Sequence, residues 1–239
     1  MNKNSNSYQI LYAAVMVVLV GAMLAFIYMA LKPRQEQNIA NDKRNQILSA
    51  IHQATANESE IPATYQKFVV KDLCVDAKGA VVDSAAGCAF NVDMKKNMKL
   101  PEAERKLPVL VCDVEGQTKY VIPVYGAGLW GPIWGYVAVN DDGNTIFGAY
   151  FSHESETPGL GARIADADFQ DQFKDKALYK EGAFKNVTVV KKGQTPNDGS
   201  DYVDAISGAT ITSRGVGAMM QQCMAAYDPF FKSIQSRTE

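Results

Sequence analysis

The sequence predicts an α+β fold in which one amino-terminal transmembrane helix precedes an antiparallel-sheet domain. The first observation behind this prediction is an uncharged, apolar run of 22 residues from Ile10 to Leu31. The second is a series of short β-rich runs joined by turns of Gly, Asp and Asn, followed by two stretches with helical spacing of apolar residues. Strands and helices that are segregated along the chain in this way are typical of the α+β class.

The apolar run is long enough to cross a membrane. At about 1.5 Å per residue, a helix over Ile10 to Leu31 spans roughly 33 Å, whereas the hydrocarbon core of a bilayer is about 30 Å thick. A secretory signal peptide is the alternative, but its apolar region has about 7–15 residues and ends at a small-x-small cleavage site. This run is longer and ends in bulky residues before Lys32-Pro33-Arg34. We therefore predict an uncleaved anchor, with Tyr8, Tyr12 and Tyr28 at its interfaces.

The charges that flank the anchor favour one orientation by a small margin. Lys3 and the amino terminus lie on one side of it, and Lys32, Arg34, Lys43 and Arg44 lie on the other. Because positively charged flanks tend to stay in the cytoplasm, this count alone would keep the large domain there.

Beyond the anchor, the sequence is polar with helically spaced apolar residues from Gln35 to about Ala54, which indicates a stalk helix. Pro62 is expected to break the chain, after which the pattern changes to β-rich. The predicted organisation is a short tail over 1–9, a transmembrane helix over 10–31, a stalk helix and linker over 32–60, and a folded domain over 61–239.

Three pairs of β-rich runs flank short turns, and each pair predicts a β-hairpin, because Gly and Asn supply the positive φ that a tight reversal needs. The pairs are Phe68–Val75 with Ala80–Val82, Pro108–Val114 with Lys119–Val124, and Tyr136–Val139 with Thr145–Ser152. Consecutive hairpins imply an antiparallel sheet. Helices are predicted over Ala165–Tyr179 and Thr210–Tyr227, with a strand over Val187–Lys191 between them.

Composition narrows the classes of function. The 24 Lys and Arg residues are balanced by 26 Asp and Glu residues, so no excess positive charge is left for a nucleic-acid backbone. The hydrophobic fraction of 47% excludes wholesale disorder. The four cysteines form no C-x-x-C pair, which argues against a zinc or iron-sulfur site. At most, Cys74 and Cys88 would form a disulfide. Buried free thiols are favoured over that pairing.

One glycine-rich segment, Gly126 to Gly131, has the spacing G-x-G-x-x-G but does not predict a dinucleotide site. That fingerprint requires a helix to start at the last glycine, since the pyrophosphate binds to the helix amino end. Here Pro132 follows, and the chain continues as another strand. The segment is better interpreted as a glycine-rich corner that presents Trp130. Its indole either covers a flat ligand or fills a corner of the sheet, and the spacing does not decide between them.

Two further segments carry residues suited to binding. Ser152 to Gly161 closes a strand and contains a Pro-Gly turn whose glycines would let backbone amides approach a planar ligand, with Leu160 facing outward as an apolar platform. His153 lacks the second histidine of an H-E-x-x-H motif, so a solvated or structurally bonded histidine is expected.

The other segment, Asp204 to Ser213, precedes a helix that Ser207 or Thr210 would cap. A hydroxyl at this position either accommodates a phosphate at the helix amino end or serves as an ordinary cap.

The residues Asp204 to Thr210 resemble the flavinylation motif D-x-x-S-G-A-T of bacterial FMN-binding domains. The E-T-P-G-L-G element at 156–161 and the G-L-W-G-P-x-x-G element at 128–135 are similar to the C-subunit family of Na⁺-translocating NADH:quinone oxidoreductases. An amino-terminal anchor followed by an FMN domain also matches that family. The tryptophan element favours it over the related G subunit of Rnf-type, ferredoxin-linked complexes. A third hypothesis is a membrane-anchored module with an assembly role and no redox activity.

The resemblance implies that a separate flavin transferase, which uses FAD and Mg²⁺, recognises a motif including Asp204 and esterifies Thr210 with FMN. It implies FMN contacts from the residues Ser207, Gly208, Ala209, Glu156, Thr157, Gly159, Leu160, Gly161 and Trp130, and no catalytic residue or metal. The protein would relay electrons from an iron-sulfur centre of neighbouring membrane subunits towards the FMN of the B subunit, during ubiquinone or menaquinone reduction coupled to sodium export. Its partners would be the A, B, D, E and F subunits. The family places the domain on the periplasmic side of the bacterial inner membrane, against the count of flanking charges.

Overall fold

The computed structural model of the chain describes residues 6–238. Contacts divide the chain into two compact units, Met1–Lys43 and Arg44–Glu239, which are described separately below. Residues 1–5 of the predicted tail, including Lys3, lie outside the described part of the chain. The predicted boundary between stalk and domain at residue 61 stays a prediction, although residues 44–60 are grouped with the folded unit.

The long helix α1, Asn6–Ala50, forms the described part of the first unit. Its residues from Arg44 onward belong to the second unit. Among the described residues it is the one helix that is long and apolar enough to span a membrane. Its apolar side chains from Ile10 to Leu31 are exposed all round, as expected for a segment that faces lipid. The helix continues through Pro33, so anchor and predicted stalk form one helix that ends at Ala50 rather than near Ala54.

The second unit combines five helices and ten strands within residues 44–238. The helices are α2 Ile61–Phe68, α3 Met94–Asn97, α4 Ala167–Gln170, α5 Thr210–Ala225 and α6 Asp228–Thr238. The strands are β1 Val69–Val75, β2 Val81–Asp83, β3 Leu107–Val114, β4 Gln117–Ala127, β5 Pro132–Asn140, β6 Ile146–His153, β7 Tyr179–Lys180, β8 Ala183–Phe184, β9 Thr188–Val190 and β10 Tyr202–Asp204. Short 3-10 helices occupy Glu102–Glu104, Gly161–Ala165 and Asp171–Phe173.

The main sheet has six strands in the order β2-β1-β3-β4-β5-β6, and every pair in it is antiparallel. The three predicted hairpins are therefore confirmed as β1–β2, β3–β4 and β5–β6. The Glu115-Gly116 turn between β3 and β4 has positive φ at both residues, at 55° and 79°. This is the left-handed geometry that a tight hairpin turn requires.

Both faces of this sheet are covered, which explains why β3 is buried along nearly its whole length. Side chains alternate between faces, so Val109 and Val111 face one core while Leu110 and Cys112 face the other. The first core contains α5 and α6, together with the rings of Phe151, Phe169 and Phe173. The second core contains the end of α1, where Ile47, Leu48, Ala50 and Ile51 are fully buried.

The predicted helix over Ala165–Tyr179 is wrong. The structure breaks this stretch into a 3-10 helix, the short helix α4, another 3-10 helix and the start of β7. Asp166 has extended backbone angles (φ −77°, ψ 144°), and Asp175 has a positive φ of 61°, so neither residue continues a helix. The amide of Gln170 donates hydrogen bonds to the carbonyls of Phe151 and Ile164, which fixes the turns onto β6.

Other local expectations also need correction. Pro62 does not break the chain but lies in the first turn of α2, where proline is tolerated because the amide hydrogen there has no helical acceptor. The strand predicted near Val187–Lys191 is present as β9, but it pairs in parallel with β10 outside the main sheet.

The sequence patterns did not predict helix α6. Tyr227, just before α6, and Phe231, in its first turn, are both buried in the first core. The Tyr227 hydroxyl donates a hydrogen bond to the Pro108 carbonyl at 2.9 Å.

Phe151→Ala is expected to lower the free energy of unfolding by about 3–5 kcal/mol, because it leaves a cavity in the aromatic cluster. The Phe151 ring is fully buried, and its centroid lies 5.0 Å from that of Phe173. Val82→Ala on the exposed strand β2 is the control and should change the value by no more than about 0.5 kcal/mol. Urea unfolding of the purified chain, followed by circular dichroism, measures both. Equal effects of the two substitutions would contradict the assignment of this core.

Candidate functional site

Strand pairing brings two loops to the same end of the main sheet. The register pairs Ala127 with Pro132 across the β4–β5 turn, and it pairs Ile133 with His153 at the end of β6. The Gly128–Gly131 turn and the loop after His153 therefore leave the sheet side by side. Because this is an antiparallel hairpin and no helix follows the glycines, the exclusion of a dinucleotide fingerprint is confirmed.

Helix α5 adds the third element, because its amino-terminal half lies against the end of β4. Gly215 makes this approach close: a Cβ at that position would lie 2.5 Å from the carbonyl oxygen of Ala127. Gly126 allows the same approach from the strand, since a Cβ there would lie 2.7 Å from the Cβ of Met219. The first turn of α5 is thus held beside the two loops.

The three elements enclose a cavity of about 440 Å³, within the roughly 300–1,000 Å³ usual for ligand sites. Its lining residues come from all three, and they are Leu129, Trp130, Glu156, Thr157, Leu160, Gly161, Gly208, Ala209, Thr210, Ile211 and Thr212. Eight of the residues predicted from the sequence are in this set. The predicted residues Asp204, Ser207 and Gly159 are near it in the chain but do not line it. The structure therefore brings most of the predicted residues together, while their roles towards a ligand stay predictions.

Thr210 is the first residue of α5, and it is exposed at the cavity. The expectation that Ser207 or Thr210 caps the helix is wrong: Ala209 is at the N-cap position, and no side chain caps the helix there. Ser213 stabilises the helix start instead, since its hydroxyl donates to the Ala209 carbonyl at 2.9 Å and accepts from the Ile206 amide at 3.0 Å. The Thr210 hydroxyl is thus not used to start the helix.

The turns around Thr210 depend on two glycines. Gly208 has a positive φ of 79°, and a Cβ added there would lie 3.0 Å from a methyl group of Leu160. Gly159 has a positive φ of 74° in the Pro-Gly turn, where the Leu160 amide donates to the Thr157 carbonyl at 3.1 Å. This turn leaves Leu160 exposed beside the cavity, as the sequence predicts.

The rim of the cavity is apolar and exposed. Trp130 is 67% exposed and Ile211 is 60% exposed, and both are joined on the rim by Leu129 and Leu160. A contiguous group of exposed large apolar side chains is typical of a binding site. Sequence reasoning missed Leu129 and Ile211. The helical spacing of Val216, Met220 and Cys223 places Ile211 on the opposite side of α5, and an isoleucine off the core face is the signal that could have identified it.

The base of the cavity contains a buried carboxylate, Glu156, which is 4% exposed. One of its oxygens accepts from the Trp130 amide at 2.8 Å, and the other accepts from the Thr212 hydroxyl at 2.6 Å. Burial raises the pKa of Glu156, but the hydrogen bonds from Thr212 and from the amides of Trp130, Leu129 and Gly131 together hold that pKa below its usual value. His153 accepts from the Glu156 amide at 3.2 Å, which confirms a structurally bonded histidine.

Comparison with known proteins shows what this chain is similar to. The FMN-binding domain family matches residues 128–225, which contain all three elements. The C subunit of the Na(+)-translocating NADH-quinone reductase of Haemophilus ducreyi is 33% identical over 230 residues, which cover 90% of this chain and 88% of that protein. The C subunit of Pasteurella multocida is also 33% identical, over 98% of this chain and 96% of that protein. The chain belongs to the C-subunit family of Na(+)-translocating NADH-quinone reductases.

Solved structures of the C-subunit family agree with this assignment. The crystal structure of the C subunit from Parabacteroides distasonis is 44% identical, with a TM-score of 0.78, and covers 84% of this chain and 96% of that one. Shewanella oneidensis NqrC is 29% identical, with a TM-score of 0.69, and covers 82% of this chain and 98% of that one. The predicted fold class and the resemblance to the C-subunit family are confirmed, and the members of this family belong to an oxidoreductase complex.

The residues of the cavity fit FMN, which combines a flat ring with a terminal phosphate. The exposed apolar rim suits the faces of the ring. The amino end of α5 suits the phosphate, because the first amide hydrogens of a helix lack helical acceptors and carry partial positive charge. Thr210 is at this helix end and lines the cavity.

Glu156 is expected to make stability depend on pH in mild acid. A folded-state pKa below the usual value of about 4.3 means that the ionised carboxylate stabilises the folded chain. This contribution is complete above the unfolded pKa and is lost as the pH falls through the lower folded pKa. The measurement is the melting temperature of both proteins between about pH 6 and pH 3. At about pH 6, Glu156→Gln should melt at a lower temperature than the wild type. As the pH falls to about 3, its melting temperature should decrease less than that of the wild type. Parallel profiles of the two proteins would contradict a role for the charge.

Proposed function

We propose that this protein is the electron-transferring C subunit of a Na⁺-translocating NADH:quinone reductase and that it carries FMN as a phosphoester on Thr210. The observation that supports this proposal best is an exposed threonine at the start of α5 that lines an apolar-rimmed cavity. The match of residues 128–225 to the FMN-binding domain family supports the same cofactor.

Attachment would take place at the Thr210 oxygen. With FAD as the donor, that oxygen forms a new bond to the phosphorus on the riboflavin side, the pyrophosphate bond breaks, AMP leaves and the hydroxyl loses its proton. The remaining negative charge of the diester is stabilised by the amino end of α5. A separate Mg²⁺-dependent flavin transferase would recognise the segment from Asp204 to Thr210. Asp204 ends β10, and its amide donates to Gln172 at 2.8 Å, so this segment has a defined conformation.

The contacts to the ring would come from the rim of the cavity. Trp130, Leu160 and Thr157 are the predicted contacts, and Leu129 and Ile211 would join them because they line the same cavity. Ser207, Gly208 and Ala209 would approach the phosphate from the residues that lead into α5. Bound FMN supplies both one-electron and two-electron redox chemistry. The protein's part is to hold the ring in place and limit its contact with water.

The proposed role is a relay of electrons, with no substrate turned over on this chain. Electrons would come from an iron-sulfur centre in neighbouring membrane subunits and pass towards the FMN of the B subunit, while the complex reduces ubiquinone or menaquinone and exports sodium. The partners would be the A, B, D, E and F subunits. The names of the relatives, which are subunits of such reductases, support membership of a multi-subunit complex.

The proposed location is the bacterial inner membrane, with α1 as a single-pass anchor and the folded unit on the periplasmic side. The exposed apolar length of α1 supports the anchor. Flanking charges oppose this orientation, but their margin is small and partner helices in a complex override such a bias.

Thr210→Val should abolish covalent flavin while the chain stays folded, because valine keeps the shape of threonine without its hydroxyl. The measurement is flavin fluorescence under ultraviolet light after denaturing electrophoresis of protein made with and without the flavin transferase. Thr210→Ser is the matched control and should keep a fluorescent band, since it retains a hydroxyl at the same position.

A fluorescent band from Thr210→Val would show that another residue carries the flavin. A wild-type chain that gives no band in the presence of the transferase would favour the non-redox assembly module instead.

The orientation is tested by adding a protease to intact spheroplasts, in which only the periplasmic face of the membrane is accessible. The folded unit should be degraded from outside, or released from the membrane-spanning part of α1, while a cytoplasmic marker protein stays intact. The control is the same treatment after the spheroplasts are lysed, when both proteins should be cut. A folded unit that is protected until lysis would place it in the cytoplasm, as the flanking charges favour.

A further inference from the structure

We propose that Glu156 is a positioning residue, whose carboxylate sets the separation between the loop that carries Trp130 and the helix start that carries Thr210. The resemblance to FMN-binding domains implies a direct contact between Glu156 and FMN. That contact stays a prediction, and in the structure both oxygens of the carboxylate accept hydrogen bonds from the protein. The ligand in this proposal rests on the proposed function, whereas the geometry is a property of the chain alone.

The carboxylate links two elements that are far apart in sequence. Its Oε1 accepts from the amide of Trp130, in the turn between β4 and β5, at 2.8 Å. Its Oε2 accepts from the hydroxyl of Thr212, in the first turn of α5, at 2.6 Å. Hydrogen bonds to an ionised acceptor are shorter and roughly twice as strong as neutral ones. A single side chain therefore connects the loop that carries Trp130 to the first turn of α5, in addition to the packing of α5 on β4.

Two glycines of the site make room for this carboxylate. A Cβ at Gly128 would collide with Oε1 of Glu156, and a Cβ at Gly161 would collide with Oε2 and with the Thr212 hydroxyl. Neither glycine is among those with positive φ. Glycine is therefore needed at these two positions because a side chain would not fit, and not because of the backbone angles. Gly161, predicted from the sequence as a ligand contact, thus serves the packing of Glu156.

Trp130 needs such support because its indole is 67% exposed and so has little packing of its own. Besides the bond to Glu156, its loop is closed by the Gly128 amide, which donates to the Gly131 carbonyl at 2.8 Å. The Ser155 hydroxyl also donates to the Trp130 carbonyl at 3.1 Å. These two bonds shape the loop or connect it to the segment after β6, whereas the Glu156 bridge connects it to α5 through hydrogen bonds.

A carboxylate suits this position better than an amide. The groups that face it are hydrogen-bond donors: the Thr212 hydroxyl and the amides of Trp130, Leu129 and Gly131. A carboxylate offers acceptors only, whereas glutamine would place an NH₂ group against one of these donors. The Thr212 end of the bridge is the cleaner one to test, because Glu156 then stays in place.

The test compares Thr212→Val with Thr212→Ser in the full-length chain carrying covalent flavin. Thr212 is 1% exposed, so valine keeps the packing but removes the donor, and serine keeps the donor. The readout is quenching of the flavin fluorescence by iodide, which reports how well the ring is covered. Thr212→Val should raise the quenching constant by about twofold or more, while Thr212→Ser stays close to the wild type. Equal constants in the two variants would overturn the proposal, whatever their melting temperatures.

A second measurement does not depend on flavin and decides the proposal if Thr212→Val is not modified. The chain has two tryptophans, so Trp134→Phe leaves Trp130 as the single reporter. In flavin-free protein carrying Thr210→Val, time-resolved anisotropy measures the local motion of Trp130. This motion should increase with Thr212→Val and with Glu156→Gln but not with Thr212→Ser. Unchanged motion in both of the first two would overturn the positioning role. A wild-type chain without flavin would overturn only the proposed function.

Discussion

Antiparallel pairing at one end of the main sheet is the constraint on which the site depends. The β4–β5 turn closes where Ala127 lies opposite Pro132, and β6 ends where His153 lies opposite Ile133. Both loops must therefore emerge together, whatever their own sequences prefer. Helix α5 then joins them because Gly126 and Gly215 let its backbone lie close to β4. A change of register by one residue would exchange the two faces of each strand and separate these loops.

No side chain caps the start of α5. A threonine or serine at the N-cap would direct its hydroxyl towards the helix's own amides. Here Ala209 occupies that position and Ser213 stabilises the preceding turn from inside the helix, so Thr210 is left at the surface. The same amides remain available to an anionic group from outside. This arrangement is compatible with the proposed phosphoester on Thr210.

Local patterns in the sequence predicted the hairpins, the apolar span of α1 and helix α5, because each depends on spacing or turn residues that neighbours in the chain supply. The helix proposed over Ala165–Tyr179 failed, since tertiary contacts of Gln170 and the left-handed Asp175 override a run without glycine or proline. Eight candidate site residues were found through motifs. The bridge between Glu156 and Thr212 joins positions 56 residues apart, and no local pattern reports such a contact.

The burial of Ile47, Leu48 and Ile51 against the sheet means that the carboxyl-terminal turns of α1 belong to the hydrophobic interior of the folded unit. A water-soluble fragment cut at the onset of α2 would expose Leu110, Val121 and Tyr136 to solvent, and such a surface promotes self-association. Fragments for crystallisation or spectroscopy therefore need to retain the chain from about Arg44 onward. For the same reason, detachment of this unit from its anchor by proteolysis is compatible with the native fold only when cleavage occurs before that point.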